Sequence, residues 1–216
     1  MSASLLRSAS LFACFALAAC GGGGGNDEGP IELTIESTAN LDGGTTFNNN
    51  GSTNLGSASS APLVGDGVFV ASGGTLNYNA FWSFDISAIP SGATIDSAIL
   101  RLFQAGTANA PTAAFALARL DHVNYGAIFP ATSGAFSLLT ADIAQLTDLD
   151  TFNVPKPLDV TSAVQSDVDA SRPRSQFRMR PAIASNNDAA ADFMVMTDGE
   201  TANAANRPML IITYSE

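Results

Sequence analysis

The sequence predicts an all-β protein: an antiparallel, two-sheet β-sandwich, jelly-roll-like, with at most one short helix. Several short segments alternate apolar and polar residues with period two, which is typical of half-buried strands. Clusters of Gly, Pro, Asn and Ser separate these segments, and strands do not alternate regularly with helices. The length suits one such domain, which we place at residues 31–216.

The N-terminal segment has the features of a bacterial export signal. Its apolar run, Leu11–Ala19, is far too short to cross a bilayer as a helix. The run ends in Leu17–Cys20 (LAAC), which resembles the processing box of bacterial lipoproteins. This resemblance implies that residues 1–19 are removed and that Cys20 carries diacylglycerol and palmitate. Because Gly21 is not aspartate, it also implies retention in the outer membrane. A plain secretory signal that leaves Cys20 as a free thiol is the alternative.

Residues 20–30 are predicted to form a polar tether behind the lipid. Five consecutive glycines, Gly21–Gly25, would lose much conformational entropy on ordering, so we expect a flexible spacer. Cys14 leaves with the signal and Cys20 is lipidated, so the folded body has no disulfide. Its stability must therefore come from an ordinary hydrophobic core.

The charge balance excludes some partners. Removing residues 1–19 leaves 197 residues (216 − 19) with 8 of the 9 cations and all 20 acidic residues, a net charge of −12. Such a surface argues against nucleic acid and against electrostatic docking on anionic lipid. It suits a body that faces an extracytoplasmic medium.

The first half of the body predicts strands around a central hairpin. Ile31–Ser37 and Val68–Ala71 are short strands, and Leu41–Pro62, rich in Gly, Asn, Ser and Thr, is predicted to be a long loop. Phe81–Ile86 places Trp82, Phe84 and Ile86 on one side. A type I turn at Ile89–Gly92 then leads into the strand Ile95–Gln104.

The second half is less regular. Ala113–Val123 suits either strand or helix, and Tyr125–Asp150 is predicted to be irregular. Val160–Asp169 is the one predicted helix, capped by Thr161. The last strands are predicted at Ser175–Pro181, Asp192–Thr197 and Pro208–Tyr214. The predicted core contains Phe84, Leu100, Leu102, Phe177 and Ile211.

Three segments resemble one family in the same order. They are FWSFDISAIPSGATIDSAILRL (Phe81–Leu102), PLDVTSAV (Pro157–Val164) and RPMLIITY (Arg207–Tyr214). Together they are similar to the DNRLRE-type domains, which are extracellular β-sandwiches. The resemblance favours a strand for Ala113–Val123. It also implies a carbohydrate-binding module, since similar domains bind polysaccharides, some of them acidic such as alginate.

Catalytic patterns are sparse, and we expect no enzyme. His122 is the only histidine, and the neighbouring Asp121 should point to the opposite face of a strand. The carboxylate pairs Asp148/Asp150 and Asp167/Asp169 are interpreted as charges at loop or helix ends rather than a glycosidase pair. Histidine and cysteine are too rare for a zinc site. Oxygen ligands in Leu41–Gly67 and Asp198–Glu200 leave a structural calcium open.

The arginines are the most uneven feature of the chain. Arg172, Arg174, Arg178 and Arg180 supply half of the eight cations of the mature chain. On a strand, Arg174, Arg178 and Arg180 share one face, where guanidinium groups can bind carboxylates or sulfates of an acidic polysaccharide. The alternative is that these arginines pair with aspartates on neighbouring strands.

Aromatic residues add to this hypothesis, and a second class of function remains beside it. Tyr78, Phe81 and Trp82 are candidates for stacking on a sugar ring, although Trp82 is rather expected in the core. The first predicted function is thus polysaccharide binding through Arg174, Arg178, Arg180 and Tyr78, at the cell surface. The second is a structural or adhesive lipoprotein that contacts protein or matrix partners.

Overall fold

The computed structural model describes residues 29–48, 55–57, 61–69, 74–130 and 135–216, and these residues form twelve strands, two α-helices and two 3-10 turns. The strands are β1 (Ile31–Glu36), β2 (Gly43–Asn48), β3 (Leu55–Ser57), β4 (Leu63–Phe69), β5 (Gly74–Asp85), β6 (Thr94–Ala108), β7 (Ala118–Asn124), β8 (Ser137–Leu146), β9 (Val154–Asp159), β10 (Arg174–Pro181), β11 (Phe193–Met196) and β12 (Met209–Ser215). The helices are α1 (Pro111–Phe115) and α2 (Thr161–Asp169), and the 3-10 turns are Ala39–Leu41 and Ala204–Asn206. The predictions for the signal peptide, for Cys20 and for the glycine tether lie outside the described residues.

The strands form an antiparallel β-sandwich, as predicted. All eleven pairings between described strands are antiparallel. One layer has the order β1-β12-β6-β9, and the other has the order β3-β2-β5-β10-β7-β8. The neighbours β4 and β11 connect the layers, because β4 pairs with β5 while β11 pairs with the last residues of β6. The sandwich is therefore closed by hydrogen bonds along this edge.

The core between the layers is built from alternate residues of the central strands. Phe84, Leu100, Leu102 and Phe177 are fully buried, and Trp82 joins them with its Nε1 donating to the Thr197 carbonyl at 3.0 Å. These predictions are confirmed.

The prediction for one core residue, Ile211, is wrong. Ile211 is only partly buried, whereas its neighbours Leu210 and Ile212 are fully buried. Pairing with β6 places Leu210 opposite Leu100, which turns the other parity of β12 inwards.

Three stretches differ from prediction, two of them because long-range strand pairing decides their structure. The predicted loop Leu41–Pro62 contains β2, which adds to the edge of β5. The irregular stretch Tyr125–Asp150 contains β8, which pairs with β7. The predicted strand Ala113–Val123 begins only at β7, after the helical turn α1 with Pro111 at its start, a position where proline suits a helix. Local composition does not show these partners.

Local turn chemistry also differs in two places. The corner between β5 and β6 is a turn from Pro90 to Ala93, closed by the Ala93 N–H on the Pro90 carbonyl at 3.2 Å, and Gly92 takes φ +93°. Helix α2 begins after Val160, and the Thr161 side chain does not cap it. Asp159, the residue before the N-cap Val160, instead accepts the Thr161 N–H at 2.9 Å and places a negative charge at the N-terminus of the helix.

Strand β9 carries prolines on its exposed parity. Pro155 and Pro157 are exposed, whereas Lys156 and Leu158 are buried and lie opposite Leu102 and Leu100 on β6. The Lys156 ammonium reaches Asp148, with 2.9 Å to its carbonyl and 3.2 Å to its carboxylate. The lysine stem thus packs in the sandwich while its charge is neutralised at the rim.

Candidate functional site

The predicted arginines lie on one parity of β10, as expected from the sequence. Arg174, Arg178 and Arg180 alternate with Ser175, Phe177 and Met179, whose side chains are buried. The outward parity follows from the inward packing of Phe177 and Met179 in the sandwich core.

Two of the arginines converge on one buried carboxylate. Asp121 of β7 is directly opposite Arg178 and is completely buried. Arg178 donates from Nε at 2.9 Å and from Nη2 to Asp121 Oδ2. Arg180 donates from Nε to the same oxygen at 2.9 Å, and its Nη2 lies 3.3 Å from Asp121 Oδ1. Both guanidinium planes are therefore held by fixed partners.

A second aspartate extends this cluster to the next strand. Asp142 of β8 accepts from Arg180 Nη2 at 2.7 Å and from Arg119 Nη1 at 2.8 Å. We call the set Arg119, Asp121, Asp142, Arg178 and Arg180 the Arg178 face. Its three cations and two carboxylates leave it with an excess of one positive charge in an otherwise acidic protein.

The electrostatics of the Arg178 face favour the charged forms. Burial raises the pKa of Asp121, but the hydrogen bonds from Arg180, from the Asp142 N–H and from Arg178 outweigh it, so this pKa lies below its ordinary value. Burial lowers the pKa of Arg180, and the contacts with Asp121 and Asp142 raise it above its ordinary value. The ion pairs thus persist across the neutral range.

An aromatic side chain borders the Arg178 face. The guanidinium carbon of Arg178 lies 4.9 Å from the centre of the Phe136 ring, a cation–π distance. Phe136 packs in turn on Phe81, with 5.4 Å between ring centres. Phe81, Tyr125 and Phe129 form a small second core on the outside of this sheet. The combination of an aromatic ring with guanidinium groups is a surface on which sugars can bind.

Arg174 is separated from the Arg178 face. Between them lies Gln176, which is buried, and its Oε1 accepts the N–H groups of Tyr125 at 2.8 Å and Gly126 at 3.0 Å. Arg174 donates instead to Thr38 Oγ1, at 2.9 Å from Nη2. The structure therefore does not form a continuous row of three arginines.

Tyr78 is in a different part of the sandwich. It lies in the first half of β5, where β4 and β2 flank it, and its ring meets Phe193 edge to face at 5.7 Å. Burial, followed by the charge of Asp66, raises the pKa of its hydroxyl. The structure does not bring Tyr78 together with the predicted arginines, so the two predictions concern separate surfaces.

A buried polar cluster was missed in the sequence. His122 is buried with its Nε2 at 2.9 Å from Asp167 Oδ2, and the Ser175 hydroxyl donates to the same oxygen at 2.6 Å. Ser175 bonds the aspartate and not the histidine, so the cluster lacks the serine–histidine contact of a hydrolase. As expected, Asp121 faces the other way. His122 lies two positions after the core residue Leu120 and therefore on the same face of β7, and this spacing was the one signal in the sequence for its burial.

The acidic residues considered for calcium lie in two separate places. Asp66 lies near Asp192, and its pKa is raised by burial, against a hydrogen bond from Ser185. Asp42 is fully buried and accepts the N–H groups of Ser83 at 3.0 Å and Gly199 at 3.1 Å. Burial raises the pKa of Asp42 to about 7, against these hydrogen bonds. Within the part of the chain that the structure describes, no three His, Cys, Asp or Glu are arranged to hold a metal ion.

Comparison with known proteins does not assign the chain. No protein-family model matches it, and no curated protein matches it either. The resemblance to DNRLRE-type domains therefore stays a prediction. Among the described helices, none is long and apolar enough to cross a membrane.

Proposed function

We propose that this protein is a non-catalytic surface lipoprotein whose sandwich binds an acidic polysaccharide through the Arg178 face. The observation that carries the proposal is the convergence of Arg119, Arg178 and Arg180 on one outer sheet face. The mature chain has only eight cations, so three in one cluster is a strong local concentration.

The arginines are preorganised for an anion by their protein partners. Asp121 and Asp142 fix the inner edges of the guanidinium groups. Nη1 of Arg178 and of Arg180, together with Nε and Nη2 of Arg119, have no hydrogen-bond partner among the described residues. A carboxylate or sulfate needs such donors, and an arginine that is already ordered loses little entropy on binding it.

The lipid anchor completes the proposal. Cys20, with the glycine spacer behind it, would hold the sandwich at the outer membrane and leave its outer faces accessible to a polymer. The partner is then a polysaccharide of the cell surface or its matrix, and repeated weak contacts along one polymer would add up through avidity.

The experiment compares acidic with neutral polysaccharides. Full-length protein in detergent should bind alginate or polygalacturonate but not dextran, and binding should weaken steeply towards 1 M salt, where the Debye length is roughly 3 Å. Arg119→Gln should weaken binding without unfolding, because its described side-chain hydrogen bond goes to Asp142 on the surface. Arg101→Gln, on the opposite layer, is the matched control. Failure of the parent to bind acidic polymers, or unchanged binding by Arg119→Gln, would overturn the proposal.

One observation favours a second candidate, a structural or adhesive lipoprotein. Arg178 and Arg180 are already paired with Asp121, which is the arrangement expected if these arginines only stabilise the sheet. This candidate predicts no preference for acidic polymers. The same binding experiment therefore separates the two.

A further inference from the structure

A cleft of about 280 Å³ lies beside helix α2, away from the Arg178 face. One wall is the corner between β5 and β6, with Ser87 and Ser91, and the other is the connection from α2 to β10, with Ser171 and Arg172. The Ile86 N–H donates to the Pro173 carbonyl at 3.0 Å and ties the walls together. The cleft is therefore part of the hydrogen-bonded frame of the sandwich.

The guanidinium group of Arg172 is positioned by a buried carboxylate. Its Nη1 donates to Asp167 Oδ1 at 2.9 Å and to the Ser166 carbonyl at 3.2 Å. Asp167 is fully buried and is itself fixed by His122 and Ser175. Arg172 keeps 27% of its side chain exposed, so a rigid buried network supports an arginine that solvent can reach.

The remaining donors of Arg172 define the chemistry of the cleft. Its Nε and Nη2 have no hydrogen-bond partner among the described residues. This edge of a guanidinium matches the two oxygens of a carboxylate. The hydroxyls of Ser91 and Ser171 add polar partners, and the small exposed parts of the otherwise buried Ile89 and Val168 add apolar contacts.

We infer that this cleft binds a single acidic sugar residue, with the sugar carboxylate on the Nε–Nη2 edge of Arg172. The volume lies just below the usual range of pockets for drug-sized ligands, which suits one ring rather than an oligosaccharide. The serine hydroxyls can form hydrogen bonds with the hydroxyls of the sugar ring, and the apolar lining can pack against its C–H face. The inference stands apart from the proposed function, because the cleft shares no residue with the Arg178 face.

The test is saturation-transfer NMR on the full-length protein in detergent, with three small probes. Methyl glucuronide should give saturable signals. Methyl glucoside lacks the carboxylate and should bind at least about tenfold more weakly, the usual effect of losing a hydrogen bond to a charged group. Acetate keeps the carboxylate but lacks the ring, so it should also bind more weakly because it loses the contacts with the serine hydroxyls and the apolar lining. Equal binding of the glucoside would overturn the role of Arg172. Equal binding of acetate would overturn the sugar assignment.

Variants assign the signal to the cleft. Ser91→Trp fills the cleft from an exposed turn and should abolish glucuronide binding. Ser162→Trp, on the exposed side of α2 in a neighbouring groove, is the matched control and should keep it. Arg172→Lys keeps a cation near Asp167 but removes the paired Nε and Nη2 donors of the guanidinium group. Glucuronide binding should therefore fall while the melting temperature changes little. Unchanged binding in Ser91→Trp or in Arg172→Lys would overturn the inference. Arg119→Gln should bind glucuronide normally, which distinguishes this site from the Arg178 face.

Discussion

Arg178 and Asp121 lie directly opposite each other on β10 and β7, and two nitrogens of the arginine donate to one oxygen of the aspartate. Asp121 is completely buried, whereas 17% of the Arg178 side chain is exposed. The arginine therefore covers the carboxylate and neutralises it. Arg178, which the sequence predicted as a contact for a ligand, therefore also stabilises the sheet by pairing with Asp121.

Removing this cover should destabilise the protein. Arg178→Ala leaves Asp121 with Arg180 as its remaining cationic partner. We expect the free energy of unfolding to fall by about 2 kcal/mol, since the buried carboxylate loses two charge-assisted hydrogen bonds. Chemical denaturation measures the change. Adding Asp121→Asn to the variant should recover part of the loss, and a loss below about 1 kcal/mol in Arg178→Ala would contradict the prediction.

Stability should fall as the pH rises from about 4 to 7, because of Asp42. Its pKa is about 7 in the folded protein and 3.8 ordinarily, so between these values the folded state holds a proton that the unfolded state has lost. The stabilisation is complete below the lower value and is lost above the upper one, on the order of 4 kcal/mol in total.

The pH profile of a variant tests this assignment. Asp42→Asn should remove most of the slope between pH 4 and 7 in urea unfolding experiments. Asp96→Asn, an exposed position on β6, should keep the slope of the parent. An unchanged slope in Asp42→Asn means that another group is responsible.

The sandwich core should depend on Phe84. Phe84 is fully buried against Phe177, with 6.2 Å between ring centres, so Phe84→Ala should lower the free energy of unfolding by about 3–5 kcal/mol. Phe152→Ala makes the same chemical change at a side chain that is 48% exposed and should cost less than about 1 kcal/mol. Equal losses in the two variants would contradict the placement of Phe84.

Processing should depend on Cys20. Cys20→Ser should abolish labelling with palmitate in a Gram-negative host and release the protein from the membrane, because the predicted lipidation uses the Cys20 thiol as its acceptor. Cys14→Ser lies in the predicted signal and should leave labelling intact. Labelling that persists in Cys20→Ser would exclude the lipoprotein assignment.

The sequence predicted features that depend on local periodicity. The inward face of Phe84 and the outward parity of Arg178 follow from the alternation of a strand. The partners do not follow from it. Asp167 meets His122 from 45 positions away, and Asp121 meets Arg178 from 57 positions away, because the order of strands in the sheet brings them together. The sequence alone has no signal for that order.

The prolines of β9 bear on how copies of this protein behave when they are crowded. A strand at the border of a sheet can recruit the same strand of a second molecule through its free backbone N–H groups, which leads to polymerisation. Pro155 and Pro157 have no such groups, and among the described strands β9 pairs only with β6. Replacing both prolines with threonine would restore the donors and should increase light scattering in concentrated solution. If the protein is tethered at high density on a membrane, as we propose, these prolines would keep its copies from joining into fibres along this border.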